Sequence, residues 1–106
     1  AERLAADGIQ CCVLDLRSLA PLDKDAVLRV ARHCSKVLIV HEDTRTGSIG
    51  ESLAAIIQEE AIESLDAPVR IVGALDTPVP YSPPLEEYFL PSAEQVERAA
   101  RLLVSY

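Results

Sequence analysis

The chain has 106 residues, 49% of them apolar, which is enough for one small domain built around a single hydrophobic core. Its 17 acidic and 10 basic side chains give a net charge of −7, which argues against proteins that bind nucleic acid through a basic face or membranes through a polybasic patch. There is no run of about 18 apolar residues, so the sequence predicts no transmembrane helix.

The first part of the chain alternates between helical and extended patterns. Residues 1–7 predict the end of a helix, and residues 9–16, "IQCCVLDL", form an apolar run typical of a strand that is buried on both faces. Asp23 is a good N-cap for a second helix, whose apolar positions recur as far as Cys34. Residues 36–42, "KVLIVHE", predict a second buried strand.

The second part of the chain continues this alternation. Ser48 and Glu51 have the S-x-x-E spacing of a capping box, so a helix is expected to begin after Ser48. Residues 69–75, "VRIVGAL", predict a third strand. The proline-dense stretch 76–91 predicts an extended excursion, ordered by the burial of its aromatic and leucine side chains, rather than a helix or a central strand. A second capping box at residues 92–95 predicts the last helix.

This alternation predicts an α/β fold class with a mostly parallel sheet between two layers of helices, in a single domain over residues 1–106. Ligands of such sheets bind beyond the carboxyl ends of the strands. Asp15 and Arg17 are expected on the same side of a strand, either as an ion pair or each bound to a neighbouring loop. The polar residues at the predicted strand ends are Asp15, Arg17, His41, Glu42, Asp43 and Asp76.

The glycine loop "TRTGSIG", residues 44–50, does not have the pattern of a phosphate-binding loop. A phosphate-binding loop needs a lysine and a hydroxyl residue after its second glycine, whereas Glu51 follows Gly50 here and its carboxylate would repel phosphate. The loop is therefore expected to be a tight turn that leads into the capping box.

The His41-Glu42-Asp43 sequence raises the possibility of a metal site. His33 is the only other histidine, and no H-E-x-x-H or similar spacing is present. The favoured interpretation of His41 is a histidine at a strand end whose ring nitrogens are satisfied by hydrogen bonds. If His41 has a function, a role at a subunit interface is favoured over metal binding.

No catalytic nucleophile is predicted, and no cofactor-binding or metal-binding residue. The serines lack a G-x-S-x-G context. A response-regulator pocket would need paired acids after the first strand and a lysine late in the sheet. Here the first strand ends in one acid, Asp15, and the third strand region has no lysine, so that class of site is excluded. The cysteines form no C-x-x-C pair and are expected to be buried, reduced thiols in a cytoplasmic protein, with Cys34 in the core.

Several segments together carry a family resemblance: "VLDLRSLAPLDKDAV", "VLIVHEDTRTGSIGESLAAIIQEE" and "LDAPVRIVGALDTPVPYSPPLEEYFLPSAEQV". The chain resembles the C-terminal domain of the beta subunit of 2-oxo acid dehydrogenase E1 components, in the transketolase superfamily. The resemblance implies a parent enzyme of α2β2 type, with thiamine diphosphate and Mg²⁺ between the alpha part and the N-terminal domain of the beta part. It implies oxidative decarboxylation of a 2-oxo acid, followed by acyl transfer to lipoyl groups of E2.

The resemblance further implies an organising domain that supports contacts with the E1 alpha part and a second beta copy and contributes to E2 docking. The expected interface residues are Arg17, His41, Glu42, Arg45 and Tyr106. The isolated domain is not expected to be catalytic.

Domains of this family begin earlier, with a strand, so the chain is expected to be a fragment that lacks the first strand. The edges of residues 9–16 and 36–42 would then be unpaired or would pair between copies. The alternative interpretation is a free-standing ligand-binding or regulatory module with the same fold, which the length of the native gene would distinguish.

Overall fold

A computed structural model of the protein describes residues 1–78 and 80–106, without the side chain of Glu86. Two strands and five α-helices follow one another, with a short 3₁₀ turn at Ile62–Ser64 after the third helix. The elements are α1 (Glu2–Ala6), α2 (Lys24–Cys34), β1 (Leu38–Thr44), α3 (Ile49–Ala61), β2 (Arg70–Ala74), α4 (Pro83–Phe89) and α5 (Ala93–Val104).

The strands β1 and β2 form a parallel pair in the described part of the chain. Ile39 lies opposite Ile71 and Val40 opposite Val72, and the register shifts before Thr44 pairs with Ala74. The helix α3 makes the crossover that a parallel pair requires, and it packs on both strands, as does α5. The α/β fold class predicted from the sequence is thereby confirmed.

The core lies where α2 and α3 pack against each other and against β1. Its centre is formed by Val27, Ala31 and Ile57, each at most 7% exposed. The start of α2 is capped as the sequence predicts, since the Asp23 carboxylate accepts a hydrogen bond from Ala26 N at 3.1 Å. The second capping box is also confirmed: Gln95 N donates to Ser92 Oγ at 3.2 Å and Ser92 N donates to Gln95 Oε1 at 2.9 Å.

The strand predicted for residues 9–16 is wrong. These residues belong to no strand, and Val13 and Leu14 are 77% and 41% exposed. An apolar run becomes a strand only when a neighbouring strand bonds its backbone, and β1 and β2 pair only with each other in the described residues. The prediction of buried cysteines fails partly for this reason, because Cys11 and Cys12 lie in this segment and are exposed, as is Cys34 at the end of α2.

The proline-dense segment contains a helix, α4, which the sequence interpretation excluded. Its first two residues are Pro83 and Pro84, at helix positions whose N–H groups have no partner within a helix. Phe89 is buried at 7% exposure, and its carbonyl oxygen accepts a hydrogen bond from Leu75 N at 3.1 Å. Tyr81 is fully exposed and Tyr88 is 75% exposed. The expectation that the aromatic residues of this segment are buried therefore holds only for Phe89.

Candidate subunit interface

The polar side chains at the carboxyl ends of β1 and β2 are organised by the loop of residues 45–48, which joins β1 to α3. The loop is tied to β2 through its backbone, because Arg45 N donates to Ala74 O at 3.2 Å. Gly47 has a φ of +71°, a left-handed conformation that glycine adopts without the steric cost of a Cβ atom. The predicted tight turn is therefore present, and it holds Arg45 at the surface.

Asp76 fixes this loop from the segment that follows β2. Its carboxylate accepts two hydrogen bonds from Thr46, one from the backbone N at 2.9 Å and one from Oγ1 at 2.5 Å. The Thr46 hydroxyl and then the Thr46 N–H lower the pKa of Asp76 below its usual range. Asp76 is thus an anionic anchor for the turn.

Glu51 closes the same turn from the first turn of α3. Its Oε2 accepts a hydrogen bond from Gly47 N at 3.0 Å, and its Oε1 lies 3.7 Å from Arg45 Nη1. The N–H groups of Thr46 and Gly47 are therefore both occupied by carboxylates. This arrangement does not fit a diphosphate group, because a phosphate would need those donors and would be repelled by Glu51 and Asp76.

Ser48 is the N-cap of α3, but the capping box predicted there is wrong. Its hydroxyl accepts no capping hydrogen bond and instead donates to Arg45 O at 2.9 Å. Glu51 likewise bonds Gly47 N rather than the N–H of Ser48. Ser48 is 4% exposed, so its hydroxyl satisfies a loop carbonyl at a nearly buried position.

The His41 imidazole occupies a space that exists because two neighbouring residues are glycines. A Cβ atom on Gly50 of α3 would lie 2.6 Å from His41 Nε2, and one on Gly73 of β2 would lie 2.5 Å from His41 Cε1. Nδ1 lies 3.1 Å from Asp43 O, and since a carbonyl only accepts, Nδ1 carries the hydrogen. Nε2 is buried and has no partner among the described residues, so the expectation of a histidine satisfied by hydrogen bonds holds for one nitrogen only.

Among the described residues, Asp15 and Arg17 form no ion pair, which was one of the two alternatives predicted from the sequence. Asp15 Oδ1 instead accepts a hydrogen bond from the backbone N of Arg17 at 3.2 Å. Arg17 has a φ of +53°, so the backbone turns sharply directly after the segment predicted as a strand. Arg17 and His41 line the same cavity, which places two of the five predicted interface residues together.

The other three predicted interface residues are divided between the two ends of the strands. Glu42 and Arg45 are exposed and lie with His41 near the carboxyl end of β1. Tyr106 lies at the amino ends, where its hydroxyl accepts a hydrogen bond from Arg70 Nη2 at 2.9 Å. Lys36 Nζ donates to the carbonyl oxygen of Tyr106 at 3.1 Å. The five residues therefore form two surfaces rather than one.

The sequence interpretation missed Thr46 and Gly73 as residues that shape this region, and it assigned Glu51 to a capping box rather than to the N–H of Gly47. The four-residue spacing of Gly47 and Glu51 is a signal for a carboxylate that reaches back to a loop N–H at a helix start. No comparable signal marks Gly73, because its partner His41 lies on another strand.

Two classes of site are absent from the part of the chain that the structure describes. No group of three or more His, Cys, Asp or Glu side chains is placed to hold a metal ion within residues 1–78 and 80–106. No helix in those ranges has the length and apolar character needed to cross a membrane.

Comparison with known proteins shows similarity along the whole chain. The profile of the transketolase C-terminal domain family matches residues 1–96. The chain is 46% identical over 107 residues to the 2-oxoisovalerate dehydrogenase subunit beta of Bacillus subtilis (strain 168), an alignment that covers 100% of this chain and 33% of the relative. It is 37% identical over 106 residues to the pyruvate dehydrogenase E1 component subunit beta of Rickettsia felis, covering 100% of this chain and 32% of the relative.

A third relative extends the similarity to another named activity. The chain is 38% identical over 101 residues to the acetoin:2,6-dichlorophenolindophenol oxidoreductase subunit beta of Cupriavidus necator, covering 95% of this chain and 30% of that protein. The chain spans about a third of the length of these curated relatives.

Proposed function

Because this chain belongs to the transketolase C-terminal domain family, we propose that it is the organising C-terminal domain of the beta part of a thiamine diphosphate-dependent 2-oxo acid dehydrogenase E1. The parent enzyme would carry out oxidative decarboxylation of a 2-oxo acid in the cytoplasm. The observation that carries this proposal is the alignment of the whole chain with a dehydrogenase beta subunit at 46% identity.

The proposed role of this domain is assembly. Its partners would be the E1 alpha part, a second copy of the beta part, and the E2 acyltransferase. The exposed side chains of Arg17, Glu42 and Arg45 would supply polar contacts near the carboxyl end of β1. Tyr106, which is 60% exposed, would supply a contact at the opposite ends of the strands.

The chemistry would take place outside this domain. Thiamine diphosphate with Mg²⁺ would supply the decarboxylation chemistry in the parent enzyme, between the alpha part and the N-terminal domain of the beta part. The N–H groups of Thr46 and Gly47 support this division, because both already bond carboxylates and are not available to a diphosphate.

The test of the proposed function uses the full-length protein that carries this chain, purified with its partner subunits. We expect activity that depends on a 2-oxo acid and on thiamine diphosphate. Arg45→Glu should weaken assembly, measured by light scattering on dilution, by about tenfold or more, because it reverses an exposed charge beside Glu51. Arg29→Glu is the matched control, since Arg29 is exposed on α2, away from the loop of residues 45–48.

One result would contradict the proposed function, and another would contradict the role given to Arg45. A native reading frame limited to this short domain would favour the alternative, a free-standing ligand-binding or regulatory module. Equal effects of the two arginine variants on assembly would remove Arg45 from the interface while leaving the enzyme assignment to the activity measurement.

A separate prediction concerns the isolated chain, which should not bind thiamine diphosphate. Titration calorimetry with thiamine diphosphate and Mg²⁺ should give no heat of binding. The carboxylates of Asp76 and Glu51 already accept the N–H groups of Thr46 and Gly47, and their charges would repel the diphosphate. Micromolar binding to the purified chain would show that the cofactor site includes residues of this domain.

A further inference from the structure

Two of the three free cysteines line one cavity and come to it from different parts of the chain. The cavity has a volume of about 370 Å³ and lies between α2, β1 and residues 12–19. Cys12 belongs to the segment that joins α1 to α2, and Cys34 is the last residue of α2. Two thiols that face one space from different elements can form a disulfide if their backbones approach closely enough.

The part of α2 that lines this cavity is a single face of the helix. Its residues recur at helical spacing: Val27, Val30, Ala31 and Cys34. Val27 and Ala31 also belong to the buried core cluster. Cys34 therefore lies on the face by which α2 packs against the core, about one turn beyond Ala31.

The segment that joins α1 to α2 presents Cys12, and not Cys11, to the same cavity. Of residues 11–14, Cys12 and Leu14 line the cavity, whereas Cys11 and Val13 do not. This alternation is that of an extended chain, in which successive side chains point to opposite sides. The side chain of Cys12 is thus on the side of the segment that faces the cavity lined by Cys34.

The positions of the two cysteines along their elements also match. Leu16 packs against the core cluster that contains Val27 and Ala31. Cys12 precedes Leu16 by four residues, which reach up to about 13 Å in extended chain. Cys34 follows Val27 by seven residues, which advance about 10 Å along a helix. Because a segment and the helix that folds back on it run in opposite directions, these two distances bring the cysteines to about the same level.

The protonation of Cys34 reflects the same neighbourhood. Although the residue is exposed overall, partial burial is the largest cause that raises the pKa of its thiol. The neighbouring Cys12 raises the pKa further, and Cys11 contributes less. Cys34 is therefore held in its thiol form, which is the less nucleophilic form of cysteine.

We propose that Cys12 and Cys34 are a redox modification site, which a small-molecule disulfide such as glutathione disulfide converts reversibly into an intrachain disulfide. The bridge would tie the segment that joins α1 to α2 onto the end of α2. No C-x-x-C spacing marks this pair in the sequence, because the two cysteines meet only through the packing of the segment on α2.

The reaction consists of two thiol–disulfide exchanges. The Cys12 thiolate first attacks one sulfur of glutathione disulfide, whose S–S bond breaks and releases one glutathione thiolate. Cys34 then loses its proton and attacks the Cys12 sulfur of the mixed disulfide, which releases the second glutathione. The two cysteines lose two electrons in total, glutathione disulfide gains them, and the two protons pass from the cysteines to the two glutathione thiolates.

The test uses the full-length protein that carries this chain, equilibrated in a buffer with a fixed ratio of reduced to oxidised glutathione. Remaining thiols are blocked at low pH, and tryptic peptides are measured by mass spectrometry. Residues 4–17 and 33–36 are the expected peptides, joined by the disulfide. The ratio of joined to separate peptides should be at least about tenfold higher in native buffer than in concentrated urea, because the fold raises the effective concentration of one thiol near the other. Dithiothreitol should separate the two peptides again.

Two serine variants identify the partner of Cys34, since both neighbouring cysteines lie in the same tryptic peptide. Cys12→Ser should reduce the native ratio at least about tenfold, to near the value in urea. Cys11→Ser is the matched control and should leave the native ratio within about twofold of the unsubstituted protein.

Two outcomes would overturn the proposal. Equal ratios in native buffer and in urea would show that the fold does not bring the two thiols together, and this comparison requires no variant. Loss of the joined peptides in Cys11→Ser but not in Cys12→Ser would assign the bridge to Cys11 and contradict the side assigned to Cys12.

Discussion

At the scale of single residues, the most consequential contacts are those of His41 with two glycines from different elements. Gly50 is the second residue of α3 and Gly73 lies next to the last residue of β2, and both leave room for the imidazole ring. The ring thereby lies between α3 and β2. Substitutions at these three positions should have non-additive effects on the free energy of unfolding, because the three residues share one space.

Gly73→Ala should destabilise the protein by about 1–3 kcal/mol, since its Cβ atom would lie 2.5 Å from His41 Cε1 and the ring must move. Chemical denaturation measures this loss. In a His41→Ala background the same substitution should cost less than half as much, because the atom it meets has been removed. Equal costs in the two backgrounds would show that the glycine serves the backbone of β2 rather than the ring.

Asp76 should contribute to the pH dependence of stability. Its pKa in the folded protein is lowered, first by the Thr46 hydroxyl and then by the Thr46 N–H. A carboxyl with a lowered folded pKa stabilises the fold above its unfolded pKa of about 3.9, and the contribution is lost as the pH falls below that value through the folded pKa.

Asp76→Asn should therefore reduce the difference between the denaturation midpoint at about pH 5 and the midpoint below pH 3.9. Thr46→Val is the companion variant, because it removes the largest cause of the shift while keeping the carboxyl. NMR titration of Asp76 in Thr46→Val should show its pKa returning toward the ordinary value. An unchanged pKa would mean that the backbone N–H of residue 46 alone holds the carboxylate.

At the scale of elements, α3 and α5 begin with the same kind of sequence and are held in different ways. Ser92 and Gln95 exchange the two hydrogen bonds of a capping box at the start of α5. Ser48 occupies the same position in α3 but donates its hydroxyl hydrogen to Arg45 O, while Glu51 bonds Gly47 N. The spacing predicts where both helices begin, and the loop before α3 decides which atoms bond.

The difference can be measured with aspartate, which accepts hydrogen bonds as a cap but cannot donate one when ionised. Ser48→Ala and Ser92→Ala should each cost about 1 kcal/mol. Ser92→Asp should restore most of the loss at α5, whereas Ser48→Asp should cost at least as much as Ser48→Ala because Arg45 O remains unpaired at a nearly buried site. A stable Ser48→Asp protein would show that Ser48 is an ordinary acceptor cap.

At the scale of the whole molecule, ion pairs link α1 and the residue that follows it to α5. Five residues are too few for a helix to be stable by itself, so α1 depends on the burial of Leu4 and on ion pairs. Arg101 of α5 donates to Asp7 Oδ2 and to Glu97 Oε1. Arg3 Nη1 of α1 lies 3.4 Å from Glu94 Oε1 of α5. Arg101 is the first cause of the lowered pKa of Glu97.

Arg101→Met should loosen α1 while changing the midpoint of global unfolding little, because the ion pairs are partly exposed and exposed pairs contribute little to stability. Hydrogen exchange at Gly8 and Ile9, whose amides bond Ala5 O and Leu4 O, reports on α1 directly. Arg98→Met on the same helix is the control and should leave both rates unchanged. Salt at about 1 M should reproduce part of the Arg101→Met effect, since it screens exposed pairs.

The amino-acid sequence by itself determined the parts of this protein that depend on local chemistry. Asp23 caps α2, Ser92 and Gln95 cap α5, and the apolar runs before His41 and after Pro68 become the paired strands, because capping bonds and side-chain periodicity act within a few residues. The family resemblance rests on the same local segments in their order along the chain, and the match of the family profile to residues 1–96 confirms it.

Only the tertiary structure decided the features that depend on a partner distant in sequence. "IQCCVLDL" has the composition of a strand but pairs with nothing in the described residues, since pairing requires a second backbone at hydrogen-bonding distance. Asp76 meets Thr46 across 30 positions, and the space for His41 is set by glycines on two other elements. These contacts leave no local pattern, because burial and hydrogen bonding between elements depend on how those elements pack.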